Sequence, residues 1–267
     1  MRPVPTLLGL PSDHASSYLR GPAQAPPRIR EALRCASSNS WSEGLRDLSL
    51  GEGLGDAGDL DLAGGGAEAR ERIREAVAAL WDGGARPLCL GGDHAVTFPV
   101  LQALGPRHPG LTILHVDAHP DLYDAFEGDR FSHACPFARI MEAGLARRLV
   151  QVGVRAMNAH QARQAERFGV EQVPMAAWAA GARPRLEGPL YVSLDLDGLD
   201  PACAPGVSHW EPGGLTTREV LTLIQGLPGP VVGADLVEYN PVRDPDGFTA
   251  MVCAKLVKEL ADRMGRP

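Results

Sequence analysis

Short apolar runs, too uniformly apolar to face water on either side, alternate along this chain with longer stretches whose apolar positions recur every three or four residues. The runs 6–10, 87–90, 112–116, 149–154, 190–194 and 231–237 read as strands, and the stretches 28–36, 67–81, 96–104, 137–143, 159–168, 217–225 and 247–263 as helices. In 67–81, Ile73, Val77 and Leu80 share one face while Arg and Glu occupy the rest. Pro26-Pro27 stands where a helix over 28–36 would begin, a position that tolerates the missing N–H. Strand and helix repeated in this order, with strands buried on both faces, predict an α/β fold. One domain is expected over residues 1–267, a three-layer sandwich whose mostly parallel central sheet carries helices on both faces. Residues 37–66, rich in Gly, Asp and Ser, break the rhythm. They contain Gly53-Leu54-Gly55-Asp56-Ala57-Gly58, the Gly-x-Gly-x-x-Gly spacing of dinucleotide sites, but no helix pattern opens behind it, so a plain loop is expected there.

Three of the strands run into side chains that bind metals. The run 112–116 ends in Asp117, His119 and Asp121, and the run 190–194 in Asp195 and Asp197; both sets are spaced by two, which puts each on one face of an extended backbone. The run 87–90 leads into Gly91-Gly92-Asp93-His94, where the glycines let the chain turn sharply. Desolvating an unpaired carboxylate costs several kcal/mol, so four Asp and two His gathered at strand ends call for a compensating positive charge. Six ligand residues overfill a tetrahedral zinc site, whereas two divalent ions roughly 3.5 Å apart can share bridging carboxylates and keep a bound water. The set is rich in oxygen, includes imidazole and lacks thiolate, which suits manganese, two ions per chain, better than zinc or magnesium.

Length and charge narrow the field. A chain of 267 residues with 22% charged residues and a net charge of −7 has no Lys/Arg block of the kind that grips nucleic acid. Five widely spaced cysteines, no apolar stretch near 18 residues and no leader pattern argue against a secreted or membrane-spanning protein, so a cytoplasmic location with free thiols is expected.

The motifs also carry a resemblance. Gly91-Gly92-Asp93-His94, Asp117-Ala118-His119-Pro120-Asp121 and Ser193-Leu194-Asp195-Leu196-Asp197-Gly198-Leu199-Asp200-Pro201 resemble the signature segments of the ureohydrolases, the arginases and agmatinases. Phe126-Glu127-Gly128, Ser132-His133-Ala134 and Ala204-Pro205-Gly206-Val207-Ser208-His209 are similar to the plant-type arginases, which group with the agmatinases. The resemblance implies an arginase-like fold and a binuclear manganese hydrolase that splits a guanidino C–N bond and releases urea. It implies that His94, Asp117, Asp121 and Asp195 hold one ion and His119, Asp117, Asp195 and Asp197 the other. Asp121 would also orient the attacking hydroxide, His133 would shuttle a proton to the leaving amine, and Glu238 would grip the guanidinium with two parallel hydrogen bonds. A trimer or hexamer is implied as well. A related reaction, such as formimino hydrolysis, and a non-catalytic guanidino-binding role are the alternatives.

Substrate choice falls to the far end of the site. The stretch Glu127-Gly128-Asp129-Arg130-Phe131-Ser132 departs from the Ser-Gly-Asn of animal-type arginases, and its acidic residues would attract agmatine's second ammonium, so agmatine is expected ahead of arginine. Arg130 could reverse this by pairing with arginine's carboxylate. His209 and His14 lie in loops that could rim the site. His115 shares the parity of Asp117 but sits deeper, as a buried hydrogen-bonded histidine rather than a ligand.

Overall fold

The computed structural model describes residues 3–266. Eight strands make one sheet: β1 (Val4–Leu10), β2 (Gly55–Asp59), β3 (Ala85–Gly91), β4 (Thr112–Val116), β5 (Arg148–Val152), β6 (Glu171–Val173), β7 (Leu190–Asp195) and β8 (Val231–Val237). Their order is β2-β1-β3-β8-β7-β4-β5-β6 and every pairing is parallel, which sharpens the expectation of a mostly parallel sheet. Among the described residues seven α-helices connect successive strands, α1 (Ala25–Leu33), α2 (Gly66–Asp82), α3 (Thr97–Leu104), α4 (Pro136–Glu142), α5 (Ala159–Phe168), α6 (Met175–Ala179) and α7 (Thr217–Gln225), and an eighth, α8 (Phe248–Met264), follows β8.

Alternation along the strands divides the core into two layers. Leu88, Leu114, Val192 and Leu194 pack towards α1, α7 and α8, while Cys89, Ile113, Leu149 and Tyr191 pack towards α2, α3 and α4. Each fully buried Leu or Val contributes on the order of 1.5–3 kcal/mol over an exposed one, which is why the central strands read as continuous apolar runs.

Differences from the sequence expectation cluster at the edges. The segment expected as a loop contains β2, an edge strand whose residues after Gly55 are exposed. An edge strand pairs along one side only, so it needs no apolar run. Arg30 of α1 fixes it instead: its guanidinium donates to Asp56 at 2.9 Å and also pairs with Asp59. Helix α1 begins at Ala25, three residues before the expected start, because Pro26 and Pro27 fit inside its first turn. The short β6 and α6 had no periodic signal at all.

Candidate metal centre and active site

The strands β3, β8, β7 and β4 are neighbours in mid-sheet, and their C-terminal ends carry every motif residue. This is the edge at which parallel sheets bind ligands, beside the point where the chain leaves β3 for β4 and later returns to fill the gap with β7 and β8. Gly92 is required for a different reason than a sharp turn. A Cβ there would stand 1.8 Å from the Ser12 carbonyl oxygen, so only glycine lets this loop pass under the Asp93-His94 turn.

Two clusters form above the strand ends. His94 Nδ1 lies 3.3 Å from Asp117 Oδ2 and 3.1 Å from both Asp121 Oδ2 and Asp195 Oδ2. His119 Nδ1 lies 3.4 Å from Asp117 Oδ1 and 3.1 Å from Asp197 Oδ2. Asp117 thus offers one oxygen to each cluster, the arrangement of a bridging ligand. Asp121 sits at φ +50°, a left-handed backbone that Asp tolerates better than most residues.

The residues fit a pair of divalent ions. His94 Nδ1 is buried without a hydrogen-bond partner although three carboxylates face it. Burial works against charge on that ring, yet Asp117, Asp121 and Asp195 hold its proton affinity well above the ordinary value, so positive charge is demanded at this point. Burial, together with Asp197 and Asp117, pushes the Asp195 carboxyl well up. The donors are four carboxylates and two imidazoles with no thiolate, a hard set suited to manganese.

A row of polar side chains underlies this layer. Across β8, β7, β4, β5 and β6 the register aligns Asp235 with Ser193, Ser193 with His115, His115 with Gln151 and Gln151 with Gln172. Ser193 Oγ donates to Asp235 Oδ1 at 2.7 Å and receives His94 Nε2–H at 2.9 Å, which leaves His94 Nδ1 as the lone pair turned towards the carboxylates. Asp235 also accepts from Tyr191 and Thr97. His115 is buried, stacks on Phe137 with ring centroids 3.8 Å apart and bonds Asp117 Oδ2 at 2.7 Å, in agreement with the reading of a hydrogen-bonded core histidine.

Above the clusters opens a cavity of about 340 Å³, lined by Asp121, Asp195, Asp197, His119, His133, His209, Glu211 and Glu238 among others. His133 spans two partners: Nδ1 meets Glu238 Oε1 at 3.0 Å and Nε2 meets Ser17 Oγ at 2.8 Å. Burial disfavours its charge, but the hydrogen bond and charge of Glu238 prevail and push its pKa up to about 9. Glu238, at φ +62°, also accepts the His94 backbone N–H on Oε1 at 2.9 Å. Two bonds already end on that oxygen, so the expected fork of two parallel bonds meets one oxygen, Oε2, that has no protein donor among the described residues. His209 stacks near His133, centroids 5.6 Å apart, and joins the cavity wall.

Asp129 and Arg130 do not line the cavity. Glu127 and Gly128 both take positive φ in a two-residue turn closed by reciprocal Phe126–Asp129 backbone bonds, and Asp129 turns back to accept the Phe131 N–H at 2.7 Å. Arg130 points outward to Asp124 at 2.7 Å and Glu142 at 3.0 Å. The expectation that this pair reads the substrate is corrected: the turn aims Phe126 into the cavity instead. His14 packs on Gly65 and lines a separate hollow with Phe131.

Sequence reading missed Ser17, Tyr123, Asn158, Gln161 and Glu211 on the cavity wall, and Gln151 and Asp235 beneath it. Only the last two left a signal: a polar residue inside an apolar strand needs a buried partner.

Comparison with known proteins bears on the whole chain. The Arginase family model matches residues 5–262. "Arginase 1, mitochondrial" of Arabidopsis thaliana is 49% identical over 278 residues, covering 98% of this chain and 81% of that protein. The agmatinase of Bacillus anthracis is 36% identical over 262 residues, covering 95% of this chain and 89% of that protein. A solved arginase from Medicago truncatula superposes with a TM-score of 0.94 at 46% identity, over 98% of this chain and 88% of that one. The expectation of a cytoplasmic location is overturned by these relatives, since the two Arabidopsis arginases are named mitochondrial and chloroplastic/mitochondrial. Fold, site and likeness make the chain a member of the arginase family, a metal-dependent ureohydrolase that binds a guanidino substrate.

Proposed function

We propose that this protein is a manganese arginase, hydrolysing arginine to ornithine and urea. The observation that carries the reading is the pair of clusters sharing the two oxygens of Asp117, set in a cavity whose wall holds the His133–Glu238 pair. His94, Asp117, Asp121 and Asp195 would hold one manganese ion, and His119, Asp117, Asp195 and Asp197 the other. Bound there, the ions supply the Lewis acidity that makes a hydroxide nucleophile available near neutral pH.

The chain's own groups cover the remaining chemistry. Glu238 Oε2 would accept a guanidinium N–H, charge-assisted and therefore about twice as strong as a neutral bond. Asp121, at the base of the cavity, would accept a hydrogen bond from the attacking group and so set its direction. His133 keeps a proton because Glu238 stabilises its charged form, and it would deliver that proton to the departing amine, which leaves poorly as an anion.

Plant arginases at 46–49% identity, against agmatinases at 35–36%, favour arginine and reverse the order expected from the sequence alone. One observation favours agmatine: among the described residues the cavity lining holds no Lys or Arg to receive a carboxylate, and Glu211 stands on its wall. Urea release, with kcat/KM measured for both compounds on manganese-loaded protein, decides. Arginine ahead by tenfold or more is expected, and agmatine ahead would overturn the proposal. The trimer or hexamer rests on the family resemblance, and sedimentation of the loaded protein checks it.

A further inference from the structure

The mid-sheet polar row contains one amide with an unusual load. Gln151 is fully buried on β5 and makes three hydrogen bonds. Its Nε2 donates to the Pro120 carbonyl at 2.7 Å and to His115 Nδ1 at 3.0 Å, and its Oε1 accepts from Gln172 Nε2 at 2.7 Å. Flipping the amide would press its oxygen against the Pro120 carbonyl, so its orientation is fixed from both ends. His115 Nδ1 must then be the acceptor and Nε2 must carry the hydrogen, aimed at Asp117 Oδ2.

We propose that Gln151 is a positioning residue for the metal centre, holding Asp117 and Asp121 at once through its contacts to His115 and to Pro120. The first arm selects the His115 tautomer that donates to Asp117. The opposite tautomer would set a ring lone pair 2.7 Å from that carboxylate and push it out of place. The second arm steadies the peptide leading into Asp121, whose left-handed φ of +50° is a conformation the chain leaves readily when unsupported. Outer partners of this kind change metal affinity tenfold to a hundredfold when removed.

The inference rests on Asp117 and Asp121 being manganese ligands, as in the proposed function, so its test reads metal binding without substrate. Calorimetric titration of manganese into chelator-stripped protein is the measurement. Gln151→Met, which keeps volume and removes both donors, is expected to weaken binding about tenfold or more. His115→Phe keeps the stacking on Phe137 but cannot donate, and is expected to do the same. His115→Gln carries an amide N–H to the same Asp117 oxygen and is expected to bind within about threefold of the parent. That split separates positioning from a general packing role, which would weaken both His115 variants alike. Equal weakening of the two, or parental affinity in Gln151→Met, would overturn the positioning role alone. Should Gln151→Met fail to fold, the His115 pair decides. A parent protein that bound no manganese would overturn the metal reading and this inference with it.

Discussion

Stripping the metal should cost this protein a measurable part of its stability, and the amount should depend on pH in a definite direction. Two sites filled at a hundredfold excess over their dissociation constants add about 5 kcal/mol, or roughly 10 °C in Tm for a chain of this size. The ion-free cluster sets the pH dependence. Burial, with Asp197 and Asp117 nearby, raises the Asp195 pKa, so its contribution is fully present below the unfolded carboxylate value and is lost as pH rises through the raised one. Asp197 is raised by burial and by Asp117 in the same sense. Burial also opposes charge on Asp117, but the hydrogen bonds from His115, His119 and His94 outweigh it and hold that carboxyl low; its contribution is present above the unfolded value and is lost only in acid. From the unfolded carboxylate value towards neutral pH the ion-free protein therefore loses the stability these protonated carboxyls supply, while the loaded protein, whose ligand carboxylates are already deprotonated, has no such part to lose. Scanning calorimetry in excess manganese and in chelator, at both ends of that range, should show a gap in Tm that widens with pH. A gap of zero, or one that narrows, would refute the reasoning.

Four further outcomes are expected. His133→Asn should keep its manganese, assayed by atomic emission, while kcat falls by about a hundredfold; loss of metal with unchanged turnover per ion would make His133 a ligand instead. Arg130→Ala should leave the ratio of kcat/KM for arginine and agmatine within about twofold, because that side chain is paired outside the cavity, whereas Glu211→Gln should move the ratio towards arginine by roughly tenfold. Arg30→Met should cost about 2 kcal/mol or more in urea denaturation, since Asp56 and Asp59 lose their shared partner, and should leave kcat unaltered.

What the sequence made legible follows from how strongly each position was constrained. The ligand clusters could be read because a carboxylate at the end of a buried strand is costly and because alternation decides which neighbours share its face. Asp117 and Asp195 obey both rules; the expectation of an extended backbone fails at Asp121, which sits at φ +50°, and at Asp197, which lies in the 3-10 turn Leu196–Gly198, so these two reach the centre because the chain bends past each strand end. Strands β2 and β6 were illegible because Gly55-Asp56-Ala57-Gly58-Asp59 and Glu171-Gln172-Val173 lie at sheet edges, where burial imposes no apolar pattern. The far wall of the cavity was illegible for another reason. Tyr123, Phe126, Asn158 and Gln161 arrive from segments whose paths are set by tertiary packing. Asp129 and Arg130 looked like substrate contacts because nothing local announces that one would cap its own turn and the other pair with Glu142. Location was read from absences, and absences do not encode an address.

The row Asp235, Ser193, His115, Gln151, Gln172 has a consequence for assembly of the sheet. Parallel strands with uniformly apolar flanks can slip by two residues and still keep every side chain on its proper face, so hydrophobic alternation alone does not choose among such alignments. A slip of β5 against β4 would set Gln151 opposite Ile113 or Asp117 instead of His115 and break the bond between them, and a slip of β6 against β5 would break the bond from Gln172 to Gln151. Each buried polar group left without a partner costs about 1–3 kcal/mol, so even one misaligned strand forfeits several kcal/mol and a misaligned pair more. The polar row thus acts as a key that admits one alignment of β4, β5, β6, β7 and β8. Because the carboxylates that meet above it come from separate strands, choosing that alignment during folding also brings the two ends of the centre to the same height.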